Sequence, residues 1–409
     1  MLYDIAFLIF SLFYLPTLIF KGKLHRDFLE RFGVYDKNKK TLLNSAKGTI
    51  WIQAVSVGEV ALCSSLIPLL KEKFPDGGIV LSTITKTGSE LAKKIFLGDA
   101  IIIYFPLDFR FIVKRVVALI RPKIYVMVET EIWPNLLKEI RQRDIASILI
   151  NGRISDKSFV KYKFVRPYLK NILTKINSFC MQSDLDAKRI LELGAPEDRV
   201  RITGNMKFDA DIKVDFEATQ RMRQRLLLNI DDQLLVAGST HRGEERAIIK
   251  AFKELTQEFP HLKLLIAPRH IDRAGEVKAL VKQYTQGQKT IVLDTIGQLI
   301  NAYAIATIVF VGGSLVKHGG QNPIEPAAFE KPIIFGPNMF NFKDIARLFV
   351  ENRAAIQISD GEELLEKITI LLKDESQRIT LGKNAKKVVL EKRGAAERNL
   401  NAIVELVEA

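Results

Sequence analysis

From about residue 49 the chain alternates short β-branched runs with amphipathic stretches, and it does so twice. This is the pattern of strands and helices laid down in turn, which builds a parallel sheet covered on both faces. The first series predicts strands at Thr49 to Val55, Ile79 to Thr83, Ile101 to Phe105, Ile124 to Val128, Ile148 to Ile150 and Phe179 to Gln182, with helices at 58–74, 88–96 and 133–143 between them. The pattern then lapses into polar and acidic text over 204–222. A second series predicts strands at Leu234 to Ala237, Leu262 to Ala267, Thr290 to Leu293, Thr307 to Val311 and Pro332 to Phe335, with a helix over 243–258. Helices over 361–373 and 375–408 close the chain, the last long enough to cross back to the first domain. The expected architecture is two α/β domains with a cleft between them, at 23–212 and 213–409.

With 409 residues, 47% hydrophobic and 26% charged, the chain is long enough for two cores and too apolar to be disordered. Lys plus Arg number 61 against 47 Asp plus Glu, a net +14 that suits an anionic partner without selecting one. No recognised nucleic-acid-binding module accompanies that charge, so nucleic acid is not expected as a partner. The two cysteines exclude a disulfide framework, and the five histidines show no HExxH pairing. Residues 1–22 are predicted to form a membrane anchor, because the first 20 are almost wholly apolar and Lys21, Lys23, Arg26 and Arg31 follow them. That charge order places the body of the protein on the cytoplasmic side. Pro16 also permits a helix lying in the interface instead of spanning it.

Ligands of parallel sheets collect beyond the carboxyl ends of the strands, and four groups stand there. Ser56-Val57-Gly58-Glu59 opens a helix. The spacing serves a capping box, and equally a carboxylate whose ionised form the helix dipole favours, as a general base requires. Glu129-Thr130-Glu131-Ile132-Trp133-Pro134-Asn135 ends an apolar strand. Two carboxylates two apart on extended chain face opposite ways, so both join one site only if the chain turns. Pro134 suits a first helical turn and Trp133 a packing anchor. Lys207 and Arg269 are candidate anion partners. The fourth group runs over 310–337: glycines at 312, 313, 319 and 320 precede Asn322-Pro323-Ile324-Glu325, which start a helix able to hold phosphate, with Glu325 available to ribose hydroxyls. There is no GxGxxG and no GxxxxGK[ST]. Asp184-Leu185-Asp186 reads as a helix cap and Asp209-Ala210-Asp211 as linker, so neither a metal nor another cofactor is expected.

SVGE at 56–59, ETEIWPN at 129–135, TGNMKFD at 203–209, GSTHRGEE at 238–245, PRH at 268–270 and GGQNPIEPAAF at 319–329 together make the chain resemble the 3-deoxy-D-manno-octulosonic acid (Kdo) transferases of Gram-negative bacteria. The resemblance implies a GT-B glycosyltransferase fold, two Rossmann-like domains facing an interdomain cleft. It implies transfer of Kdo from CMP-Kdo to the lipid A precursor, lipid IVA, at the cytoplasmic face of the inner membrane. The N-terminal half would take the lipid and the C-terminal half the nucleotide sugar. Glu59 matches the proton acceptor, while Glu129 and Lys207 match positions that stabilise the transition state. Pro268 and Arg269, Ile296 to Gln298, and Asn322, Pro323, Ile324 and Glu325 match contacts to CMP. Gln321 stands where many relatives carry His. Residues 110–175 hold 15 Lys plus Arg against 5 Asp plus Glu, a stretch suited to a bisphosphorylated acceptor and to anionic inner-membrane lipids. Two other functions fit the pattern: a GT-B transferase using a different nucleotide sugar, and a non-catalytic membrane adaptor.

Overall fold

A computed structural model describes residues 3, 4, 8, 26–285 and 289–409. The predicted anchor over 1–22 lies almost wholly outside the described residues; among those described, no helix is long and apolar enough to cross a membrane. The chain divides into two compact units, Met1–Ala210 with Arg393–Ala409, and Asp211–Lys392. The first therefore ends two residues before 212 and reclaims the C-terminal helix from the expected 213–409 span.

Seven parallel strands form the first sheet: β1 (Ile50–Gln53), β2 (Ile79–Thr83), β3 (Ile101–Tyr104), β4 (Ile124–Val128), β5 (Ala146–Gly152), β6 (Ser178–Met181) and β7 (Val200–Ile202), in the order β3-β2-β1-β4-β5-β6-β7. The apolar runs are nearly continuous because both faces are buried. Trp51, Tyr125 and Leu149 enter one core, while their neighbours Ile50, Ile52, Val126, Ile148 and Ile150 enter the other. The second core also takes Ala395, Ala396, Ala402 and Ile403 from the last helix, Ala395–Glu408. That helix is distinct from Glu375–Lys392, so the single helix expected over 375–408 is two, broken at Gly394 with φ +90°. Asp209, read as linker, caps the second of them by accepting from Gly394 N at 2.6 Å and Ala396 N at 2.7 Å.

The second sheet holds β8 (Gln233–Thr240), β9 (Leu262–Pro268), β10 (Thr290–Val292), β11 (Ile308–Val311), β12 (Ile333–Phe335) and β13 (Ile356–Gln357), in the order β10-β9-β8-β11-β12-β13. The edge strands β7 and β13 were not expected, being three and two residues long and too short to show a period. In each sheet the strand order reverses once, between β1 and β4 and between β8 and β11. The loops beyond those two pairs are the topological switch points at which such sheets bind ligands.

Candidate functional site

At the first switch point, β1 leads into the helix Val57–Lys73, capped by Ser56. Ser56 Oγ accepts from Glu59 N at 3.4 Å; in return Glu59 takes Val55 N–H on Oε2 at 2.6 Å and the Ser56 hydroxyl on Oε1 at 2.8 Å. The capping box is therefore real, and the same carboxylate has a displaced pKa. Glu59 is 8% exposed. Burial pushes its pKa up to about 7, the two hydrogen bonds oppose this, and the charges of Glu129 and Glu131 add to it. The expectation that the helix dipole would hold it ionised gives way to desolvation, which outweighs a terminal dipole once water is excluded.

Glu129 follows β4 with φ +59°, a left-handed conformation rare for a residue with a side chain. Its N–H bonds Ile150 O at 3.0 Å and its C=O receives Glu131 N–H at 3.1 Å. The chain thus turns at once, and both carboxylates bear on Glu59. Glu131 is itself raised by burial, with the Trp133 indole acting against the rise, so Trp133 does more than pack on Phe105. Asp108 was missed. It caps the helix Pro134–Gln142 by accepting from Asn135 N at 3.0 Å and Leu136 N at 2.9 Å, and burial lifts its pKa to about 7. No local pattern marks it, because the helix it caps begins far downstream.

Lys207 reaches this group from the short helix Met206–Asp209 beyond β7. Burial lowers its pKa, Glu129 and Glu59 raise it, and Arg153 lowers it further. The structure thus brings Glu59, Glu129 and Lys207 into one electrostatic group, joined by Glu131, the second carboxylate of the pair, and by Arg153, which the sequence reading did not single out. The signal for Arg153 was its place in NGR at the end of an apolar strand. Asp184–Asp186 is a capping feature, with the cap itself at Ser183. Among the described residues no group of three or more His, Cys, Asp or Glu could hold a metal ion.

At the second switch point the chemistry is mostly backbone. Ser239 near the end of β8 has φ +55°. Gly312, just beyond β11, packs so tightly on it that an added Cβ would lie 2.5 Å from Ser239 O. Glu244, at the start of the helix Glu244–Glu258, is fully buried and accepts four backbone N–H groups: Gly313 at 2.7 Å, Ser314 at 2.9 Å, Leu315 at 2.8 Å and His241 at 2.9 Å. It is the post around which the glycine loop is wound. His241 stacks on His318 with ring centroids 4.2 Å apart and meets His270 edge-on. Burial and the neighbouring positive groups push its pKa down to about 4.

Pro268 ends β9, and Arg269 is exposed, its N–H bonded to Thr240 O at 2.9 Å. Arg269 acts electrostatically on Glu325, whose pKa burial raises. Asn322 Nδ2 bonds Glu325 at 3.2 Å, and Asn322 Oδ1 takes Ile324 N–H at 3.1 Å. The helix that follows is Ile324–Ala328, five residues, and the Ile324 N–H is the one taken by Asn322. Ile296 is 88% exposed and Gly297 has φ +85°, while Gln298 lines a cavity of about 160 Å³ with Arg221, Arg225, Leu265 and Leu293.

Comparison with known proteins bears on both units. A family profile described as 3-deoxy-D-manno-octulosonic-acid transferase (kdotransferase) matches residues 26–210, and one described as glycosyl transferases group 1 matches 229–388. The 3-deoxy-D-manno-octulosonic acid transferase of Haemophilus influenzae is 35% identical over 88% of this chain and 87% of its own length. That of Chlamydophila psittaci is 31% identical over 92% of this chain and 89% of its own. Among solved structures, a glycosyltransferase from Rickettsia africae superposes with a TM-score of 0.64 at 15% identity, covering 88% of this chain and 99% of that one. The UDP-GlcNAc 2-epimerase of Neisseria meningitidis gives 0.63 at 11% identity, over 87% and 100%. These two support the GT-B fold of paired parallel-sheet units and nothing finer. With carboxylates at one switch point, a glycine loop at the other, and relatives matching along nearly its whole length, the chain belongs to the Kdo transferase family and is a glycosyltransferase.

Proposed function

We propose that the chain transfers Kdo from CMP-Kdo to the lipid A precursor lipid IVA, with inversion at the anomeric carbon and Glu59 as general base. The observation that carries this reading is the pKa of Glu59 at about 7, set by burial among Glu129 and Glu131. A base so placed is ionised just above neutrality and still strong enough to take a proton from an alcohol. Glu59 removes the proton of the acceptor's primary hydroxyl while that oxygen attacks the anomeric carbon. The bond from that carbon to the phosphate oxygen breaks on the opposite face, and its electron pair leaves with CMP. Lys207 and Glu129 hold charge in the transition state. Pro268 and Arg269, Ile296 to Gln298, and Asn322 to Glu325 contact CMP. A monophosphate leaves with less charge than a diphosphate, so a cationic side chain such as Arg269 can meet it electrostatically.

The reaction belongs at the cytoplasmic side of the inner membrane. Supporting this are the apolar N-terminal sequence, the basic excess over 110–175, and exposed Phe111, Val160, Phe164 and Tyr168 within that stretch. Aromatic and basic side chains together suit an anionic lipid surface.

The test is incubation of the full chain with CMP-Kdo and lipid IVA, read by product mass. The expected result is an adduct heavier by one or more Kdo units. Lack of product with CMP-Kdo, alongside turnover of a UDP-sugar, would instead identify a GT-B enzyme of different donor class.

A further inference from the structure

Among the described residues, three non-glycine residues at the carboxyl ends of strands have left-handed backbone: Glu129, Ser239 and Asn151. The first two lie in the groups already described. Asn151, in β5 with φ +52°, has no assigned part in the reaction, yet it is fully buried and sits between two residues that do. Its neighbour Ile150 takes the N–H of Glu129 at 3.0 Å. Its own side-chain oxygen takes the N–H of Met206 at 2.9 Å, the residue before Lys207. Its backbone oxygen accepts from Gln182 Nε2 at 2.9 Å. The Met206 bond settles which end of the amide is oxygen, and the remaining Nδ2 is buried without a hydrogen-bond partner among the described residues.

Each of these features is costly. A side chain in the left-handed region is strained, and a buried donor without an acceptor forfeits its bond to water. Stability alone would favour glycine or an apolar side chain here. What Asn151 provides, with its neighbour Ile150, is a span: two adjacent residues at the end of β5 hold the Glu129 turn, through Ile150 O, and the Lys207 turn, through Asn151 Oδ1, although β5 and β7 are not neighbours in the sheet.

We propose that Asn151 is a positioning residue that holds the Lys207 ammonium against Glu129 and Glu59, acting on the reaction through Lys207. The inference rests on the roles proposed above for Glu59 and Lys207. Without the Met206 bond the 206–209 turn keeps its Asp209 anchor but loses the one at its start, beside Lys207, and Lys207 moves with that end. Glu59 then loses a neighbouring cation, so its pKa rises and activity requires a higher pH. The ionisable groups that face Glu59 in this argument are Glu129, Glu131 and Lys207, with Arg153 next to Lys207.

The experiment compares Asn151→Ala, Asn151→Gly, Lys207→Ala and the double variant N151G/K207A in the full-length enzyme, assayed with CMP-Kdo and lipid IVA. Glycine is the safer replacement because it accepts φ +52° without strain, so Asn151→Gly stays informative if Asn151→Ala does not fold. The expected result is a loss in kcat of about 10²-fold, the effect of small misplacement at a reacting centre. The KM for CMP-Kdo should change less than about twofold, since losing an interaction made only in the transition state lowers kcat and kcat/KM together. The acid limb of the kcat profile should move to higher pH. In the Lys207→Ala background, Asn151→Gly should cost almost nothing more. A full additional loss in the double variant, or an unmoved pH profile in Asn151→Gly, would overturn the proposal while leaving the site reading intact. A Lys207→Ala enzyme with normal kcat would overturn the site reading itself, and the proposal with it.

Discussion

The two units have the same sheet logic and opposite chemistry. In the first, the switch point between β1 and β4 carries ionisable side chains: Glu59, Glu129 and Glu131, with Lys207 and Arg153 beside them. In the second, the switch point between β8 and β11 carries glycines and backbone N–H groups, organised by the single carboxylate of Glu244. The conformational cost is also spent differently. Near the carboxyl ends of its strands unit one bends Glu129 and Asn151 into left-handed backbone, whereas the loop beyond β11 in unit two uses Gly313, Gly319 and Gly320, with Ser239 left-handed at the end of β8. The lesson is a division of labour. A group that must change protonation needs a side chain in a desolvated setting, whereas a surface that must fit closely to a ligand needs the absence of side chains.

The division makes testable predictions, and the most severe concerns the base. Glu59→Gln should lower kcat by about 10²–10⁴-fold while CMP binding, measured calorimetrically, stays as in the wild type. Weakened CMP binding in that variant would erase the contrast between the units. In the other direction, Glu244→Ala leaves four backbone N–H groups without their buried acceptor. Each orphaned donor costs about 1–3 kcal/mol, partly recovered by relaxation of the loop. A net loss of about 3 kcal/mol or more is therefore expected, seen in denaturant titration of the full chain as an earlier transition accompanied by lost donor affinity.

Gly312→Ala should have a smaller effect. Its Cβ would press on the Ser239 backbone at 2.5 Å, an overpacking strain of about 1–3 kcal/mol, and should raise the KM for donor more than it lowers kcat. The smallest effect sharpens the electrostatic account. With Glu59 as the proposed base and its pKa raised to about 7, kcat is expected to rise through that region with unit slope. Glu131→Gln removes one charge that raises this pKa. The limb should then move to lower pH by less than about one unit, and an upward move would contradict the direction of the coupling.

Much of the fold was legible. The strands Ile79 to Thr83 and Ile124 to Val128 fall at the expected bounds, because burial on both faces makes their text mostly apolar, IVLST and IYVMV. The helix at 361–373 is likewise complete, started by the Asp360 cap. The break at Gly394 was hidden because one glycine in a long helical pattern is tolerable; it becomes a break when Asp209, distant in sequence, captures the N–H groups beyond it.

For the site, the sequence by itself determined which residue types stand at strand ends: SVGE, ETEIWPN, TGNMKFD and the glycine loop are all contiguous text. Tertiary structure alone decided which of them meet and in what protonation state. Lys207 reaches Glu129 and Glu59 only because β7 closes one side of the sheet, and the Glu59 pKa rises only because packing removes water from it. Local sequence fixes hydrogen bonds a few residues apart. Desolvation and the field of distant charges are properties of the assembled core.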